Sequence, residues 1–266
     1  MKSEQAPVDK PEGAARRTSP EKVIEILDLF EEEHLRWTPE QMMERLRCPR
    51  STLYRYLRVL TEAGLVTSLP DIGYTLGPRI AELDYVMRTS DPLIMSGRPL
   101  LQALAKEITG VGLLCRYYKD RVLCVHQESS AAQIHSSYER GRAMPMSAGA
   151  TSRVILAYLK PAQLRQHYQQ QAAEFSRNRS ADTFEQMQDE LREIRKQGYC
   201  LSHGEITPGV VGVAAPVFDS ENTIIGSVSL VIPAAGFGEQ RQRFVIDRIT
   251  FSARVLSNGM HSRADG

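Results

Sequence analysis

Cysteine is scarce in this chain: Cys48, Cys115, Cys124 and Cys200 are the four present, and no two of them form a CxxC pair. That is too sparse for a disulfide scaffold, and a reducing cytoplasm is the expected location. Long apolar runs are missing as well. No apolar segment follows Met1, and the longest charge-free stretch, residues 222–238, is interrupted by Gly226, Pro233 and Gly236. It falls short of the roughly 20 apolar residues that a spanning helix needs, so neither secretion nor a membrane partner is expected. Charge of one sign is also lacking: 33 Lys+Arg stand against 32 Asp+Glu, a net charge of +1. This excludes a polycation that coats nucleic acid by charge alone, and any such contact must come from a local patch. There is no P-loop and no dinucleotide fingerprint, so no cofactor is expected.

What is present suits two modest globular units. The 266 residues are 42% hydrophobic and 24% charged, ordinary usage for a chain that builds real cores. Residues 1–18, with Pro7, Pro11, Gly13, Arg16 and Arg17, read as a flexible tail. From Ser19 the pattern turns helical: Ser19 as N-cap, Pro20 at the first helical position, then Val23, Ile26, Leu27 and Phe30 at helical spacing. Thr38-Pro39-Glu40-Gln41 is a capping box that opens a second, short helix. A third is predicted from Arg50 to Ala63, closed by Gly64. Two short strands, residues 65–69 and 74–76, flank the turn cluster Pro70-Asp71-Ile72-Gly73. Three helices and a hairpin make a winged helix-turn-helix over residues 19–78.

Charge within that module is segregated. Between Ser19 and Arg79 there are eight basic and ten acidic residues, yet Arg45 to Arg58 holds five arginines and no acid. On the third helix Leu53, Leu57 and Leu60 share one face, while Arg50, Ser51, Tyr54, Arg55 and Arg58 share the other. A helix that enters a major groove needs cationic and hydroxyl donors for phosphates and side chains that reach base edges. A charge run is more often a solvated surface, but the capping box, the Gly-closed third helix and the wing at the right distance favour the groove reading.

An apolar-periodic stretch over residues 79–90 (Ile80, Leu83, Val86, Met87) predicts a linker helix, and the second domain is placed at 91–259. Asp91 caps its first helix, with Leu100, Leu101, Leu104 and Ile108 on the inner face. Strands are predicted at 111–118, 122–127, 133–138, 199–202, 210–218 and 223–232. Helices are predicted at 149–159, 161–172, 183–197 and 239–258. Hairpin-linked strands mixed with helices imply an α+β domain with a largely antiparallel sheet.

Pro145-Met146-Ser147-Ala148-Gly149 faintly resembles a nucleophile elbow, but Pro145 stands where that turn needs Gly, and no His or acid partner can be assigned. Cys200, His203 and Glu205 could be half of a zinc site that lacks a second half; a surface His beside a buried Cys explains them as well. More informative are the small residues from Ser147 to Ser152, which open a helix whose first amides would be bare and attractive to a carboxylate or phosphate. Close packing of that helix start on the sheet is the equal alternative.

The chain resembles the IclR family of bacterial transcription regulators over nearly all of residues 19–258. The motifs that carry the resemblance are Arg50-Ser51-Thr52-Leu53-Tyr54-Arg55-Tyr56-Leu57, Tyr74-Thr75-Leu76-Gly77, Gly141 to Met146, Gly149 to Leu159, Ile194 to Tyr199, Glu205, and Gly209 to Val217 with Asp219. It implies a winged-helix domain, a linker helix and a GAF-like effector-binding domain, assembled as homodimers or homotetramers on palindromic double-stranded operators, without enzymatic activity. DNA-facing residues would be Arg50, Ser51, Thr52, Tyr54, Arg55 and Arg58. Effector-pocket positions carry over onto Gln133, Gly149, Ala150, Ser202, Val210, Gly212, Ser229 and Val231. The implied ligand is a small organic acid or aromatic acid derivative, its charged end on the amides of Gly149 and Ala150. Ser202 stands where related pockets carry an acid and Gly212 where a bulkier residue occurs, which leaves room for an aromatic or hydrazide-like derivative. The competing class is a small-molecule enzyme or a ligand-sensing module with no DNA function.

Overall fold

The computed structural model describes residues 18–130, 138–177 and 183–261. The chain divides into two compact units, with the boundary between Met87 and Arg88.

The first unit is built from α1 (Ser19–Leu27), α2 (Pro39–Leu46), α3 (Arg50–Glu62) and the hairpin β1 (Val66–Leu69) and β2 (Gly73–Leu76). Local chemistry sets the helix starts. Thr38 Oγ1 accepts from the Gln41 amide at 3.3 Å while Gln41 Oε1 accepts from the Thr38 amide at 2.9 Å, the reciprocal box expected from the sequence. For α1 the cap is Thr18 rather than Ser19: the Thr18 amide donates to Glu21 Oε2 at 2.6 Å, and Ser19 and Pro20 are already in the first turn. Ile26, Met42, Leu53, Leu57, Leu60 and Val66 form the core. Trp37 ties the wing to it. Its backbone pairs with Tyr74 in both directions (3.0 and 2.8 Å), and its indole N–H donates to the Leu29 carbonyl at 2.8 Å. After the wing, α4 (Arg79–Ser90) has no buried residue, and Leu83, Tyr85, Val86 and Met87 are exposed.

The second unit is α+β. Its six-stranded sheet has the order β5-β4-β3-β8-β7-β6, and every pair is antiparallel. The strands are β3 (Val111–Tyr118), β4 (Arg121–Ser129), β5 (Ala143–Met144), β6 (Cys200–His203), β7 (Val210–Phe218) and β8 (Ile224–Pro233). Alternation along each strand splits the core in two. Leu113, Cys115, Val122, Cys124, Ala214 and Val231 pack under α6 (Ala150–Leu156), α7 (Pro161–Arg177) and α8 (Phe184–Gln197). Leu114, Val213, Ala215, Val217, Leu230 and Ile232 face the other way, against α5 (Pro92–Glu107) and α9 (Glu239–His261). The α5 cap is as expected, with Asp91 Oδ1 accepting from the Leu93 and Ile94 amides at 2.9 and 3.1 Å.

Several expectations shift. The edge strand β5 was not foreseen, and the strand expected at 133–138 falls almost wholly outside the described residues, as do residues 1–17 of the expected tail. The helix expected at 149–159 is shorter, Ala150–Leu156, and Pro161–Arg177 is two helical segments joined at a kink at Gln171 (φ −125°), beside the stop expected at Ala172, the second segment not having been foreseen.

Candidate functional site

Two places carry chemistry. The first is the outer face of α3. Leucines at 53, 57 and 60 anchor the helix, which leaves Arg50, Ser51, Tyr54, Arg55 and Arg58 exposed and Thr52 half-buried. The three arginines of this helix are held differently. The Arg50 guanidinium lies over the Tyr54 ring, 5.3 Å from its centroid. Arg55 lies over Tyr56 at 5.2 Å, with Nη2 donating to the Tyr56 hydroxyl at a long 3.4 Å. Arg58 Nε is paired with Glu62 at 2.7 Å on a fully solvated surface. Arg45 and Arg47 are exposed where α2 turns into α3, and Arg47 there adopts φ +49°. The wing contributes no cation: residues 65–77 contain neither Lys nor Arg, and the tip carries Asp71. The donors the wing offers are its amides and the hydroxyls of Thr67, Ser68, Tyr74 and Thr75.

The second place is the start of α6, where the structure brings together most of the expected pocket positions. Ala150, Ser202, Val210, Gly212 and Val231 line one cavity with Tyr138, Thr151, Glu205 and Ile206. Ser229 lies behind Thr151, whose hydroxyl donates to it at 2.9 Å. Gln133 lies outside the described residues. The cavity is about 20 Å³, room for a single water molecule.

The reason it is so small corrects the expectation of bare amides. The Gly149 N–H donates to Glu205 Oε2 at 2.9 Å, and the Ala150 N–H donates to Ser202 Oγ at 3.1 Å. A buried amide left unpaired costs free energy, so the chain supplies its own acceptors. Glu205 is also ion-paired with Arg153, which is paired in turn with Glu190 and reaches the Leu201 carbonyl. The Arg153 side chain is only 11% exposed, while its partners Glu190 and Glu205 are 30% and 24% exposed, so a buried cation is held by carboxylates that reach the surface. Two glycines fit the site closely. Gly149 has φ +83°, and a Cβ there would stand 2.6 Å from the Tyr138 hydroxyl; a Cβ at Gly212 would stand 2.7 Å from Ser202 Oγ.

Sequence reasoning missed Arg153, Glu190 and Tyr138 here. A signal for Arg153 was available: it is the one charged side chain among Ser147–Leu156, a run otherwise of small and apolar residues. The zinc half-site does not assemble. Cys200 is buried, its thiol pushed up to about 12 by burial; His203 is exposed and Glu205 is engaged at the cradle. Among the described residues, no group of three or more His, Cys, Asp or Glu is placed to hold a metal ion. Ser147 is fully buried, which removes it as an exposed nucleophile. A larger groove of about 740 Å³, lined by Tyr158, Tyr199, Phe218, Asp247 and Arg254 among others, contains none of the expected site residues.

A three-helix winged module with an arginine-rich third helix, followed in the chain by an α+β domain, is the architecture of a DNA-binding regulator. Two family descriptions match: the IclR helix-turn-helix domain over residues 19–70, and the bacterial transcriptional regulator IclR C-terminal domain over residues 87–258. The chain belongs to the IclR family of bacterial transcriptional regulators and is a DNA-binding protein of that kind. Similar proteins include the HTH-type transcriptional regulator BhcR of Paracoccus denitrificans, 26% identical over 250 residues that span 92% of this chain and 88% of BhcR. Another is XynR of Escherichia coli K12, 28% identical over 217 residues, 80% of this chain and 84% of XynR. Among solved structures, an IclR transcriptional regulator from Alicyclobacillus acidocaldarius superposes with TM-score 0.76 at 24% identity, covering 91% of this chain and 98% of that one. An IclR homolog from Microbacterium hydrocarbonoxydans complexed with 4-hydroxybenzoate gives TM-score 0.71 at 18% identity, covering 92% and 100%. At these identities the structural likeness is one of fold. No helix among the described residues is long and apolar enough to cross a membrane.

Proposed function

We propose that this regulator lays α3 in the major groove of its operator, with Arg50, Ser51, Thr52, Tyr54, Arg55 and Arg58 toward the DNA. The observation that carries this reading is the outer face of α3, where arginines and hydroxyls are exposed on a helix anchored from behind by leucines. A homodimer would present two such helices roughly 34 Å apart, one turn of duplex. The exposed apolar residues of α4, Leu83, Tyr85, Val86 and Met87, support a second copy of the chain as the partner of that helix. Selection from random duplexes at fixed salt gives the operator and its half-site spacing. Arg55→Ala is then expected to weaken binding about ten- to hundred-fold by fluorescence anisotropy. Unchanged affinity removes α3 from the recognition role.

The second domain is the sensor, and its site is the cradle at Gly149, Ala150, Ser202, Val210, Gly212, Ser229 and Val231, with Gln133 assigned from the family resemblance. Its ligand is a small organic acid or aromatic acid derivative. The acid binds by exchange: its carboxylate takes the Gly149 amide from Glu205, and the 20 Å³ cavity widens as Glu205 leaves. Such a ligand shifts the equilibrium between arrangements of the assembly that do and do not match the operator. That the Microbacterium homolog is complexed with 4-hydroxybenzoate supports this class of ligand. Screening carboxylic acids for thermal stabilisation tests it, since a ligand that binds only the folded state raises the melting temperature. No stabilisation by any acid, in the parent chain or in Glu205→Gln, overturns the sensor assignment.

A further inference from the structure

The start of α3 breaks the ordinary rules for a helix N-terminus. Arg50 is its first residue, Pro49 precedes it without a side-chain cap, and the first turn holds no acid. A cation at the positive end of the helix dipole is disfavoured, and local rules are broken chiefly where a site needs it. The guanidinium does not remain at the helix end. It extends one turn along the exposed face and lies over the ring of Tyr54, four residues on, at 5.3 Å. Contact with the ring face restrains a guanidinium and leaves its N–H groups free to donate. The one acid within α3, Glu62, lies three turns away and is taken by Arg58 at 2.7 Å. Arg50 is therefore restrained against a ring with no ion pair inside α3, whereas Arg58 faces a carboxylate one turn on.

A flat, restrained, two-pronged donor at the N-terminal end of a groove helix matches one edge in the major groove: O6 and N7 of guanine. We propose that Arg50 reads a guanine in each operator half-site, that Tyr54 is its positioning residue, and that Arg58, tied to Glu62, reads no base. This rests on the reading of α3 as the groove helix and adds the specificity that the helix carries.

The test is selection from random duplexes with the full chain, repeated with Arg50→Lys. The parent is expected to select a guanine at one fixed position per half-site. Arg50→Lys makes that position degenerate and lowers affinity for the selected duplex about ten- to hundred-fold, while binding to unrelated duplex changes little. Loss that is equal on all sequences, with guanine retained and the salt slope reduced by about one, assigns Arg50 to a phosphate and overturns the proposal. Tyr54→Leu weakens the guanine preference and Tyr54→Phe restores it; if Phe behaves as Leu does, the ring is not the platform. Arg58→Ala leaves base preference unchanged, and a position that turns degenerate in this variant overturns the statement about Arg58. If the parent chain selects no duplex, the groove reading itself falls; if it selects one and Arg50→Lys keeps the guanine, only the present inference falls.

Discussion

The two units treat their cations and amides in opposite ways. On α3 the arginines are at the surface, beside aromatic faces or a solvated carboxylate. At the start of α6 the single arginine is buried between two carboxylates, and both leading amides are already occupied. A site for an extended polyanion can stay open, because water solvates its donors until the partner arrives. A site for a small acid inside a core cannot, because unpaired donors there are costly. Under the proposed function the first works by addition and the second by exchange.

The largest expected effect breaks the exchange side of that contrast. Arg153→Ala leaves Glu190 and Glu205 without their cation and is expected to lower unfolding free energy by about 3–5 kcal/mol in urea titrations. Unchanged stability would mean that this cluster does not hold the cradle closed. Leu57→Ala, on the buried face of α3, is expected to cost about 2–5 kcal/mol. Arg55→Ala on the outer face should stay within about 0.5 kcal/mol of the parent in the same titration while losing DNA affinity. If both variants lose stability alike, the two faces of α3 are not divided between packing and recognition. Glu205→Gln removes a charged acceptor from the Gly149 amide and from Arg153, at a cost of about 1–3 kcal/mol. With 4-hydroxybenzoate as probe, its melting temperature should rise by more than that of the parent, because the internal competitor is weakened.

A smaller effect concerns pH. His167 is buried beside Tyr117, with its Nε2 3.0 Å from the Tyr117 hydroxyl and 3.6 Å from Asp120 Oδ1. Burial holds its pKa below the ordinary 6.5, and Asp120 offsets part of that. A depressed histidine means that the unfolded chain binds more protons, so stability is full above pH 6.5 and declines as pH falls below it. The slope from this residue is at most about 1.4 kcal/mol per pH unit. Urea midpoints between pH 7.5 and 5 should show less decline in His167→Gln than in the parent. The smallest effect is local: Thr38→Ala removes the α2 cap and should cost about 1 kcal/mol by thermal unfolding.

Much of the first unit was legible because its signals lie within four residues of one another. Thr38 and Gln41 announce α2, the leucine spacing gives α3 its buried face, and Gly64 closes it. The same holds for α8, where Thr183 and Gln186 form another reciprocal box. Misses fall where a partner is far away in sequence. The strand β5 is two residues long and exists because Met144 and Ala143 meet Val122 and Leu123 across the sheet edge. Glu205 was noticed beside Cys200 and His203 and as a point of family resemblance, but nothing near it in the chain reveals the amide it caps.

The order of the helices, the caps of α2 and α5, the two faces of α3 and its concentration of arginine were determined by the sequence alone, because propensity, capping and periodicity act along a single element. Tertiary structure decided the state of the cradle. Gly149 meets Glu205 across 56 residues and Ala150 meets Ser202 across 52. Only the folded sheet brings those groups within hydrogen-bonding distance, and only their burial makes the pairing obligatory.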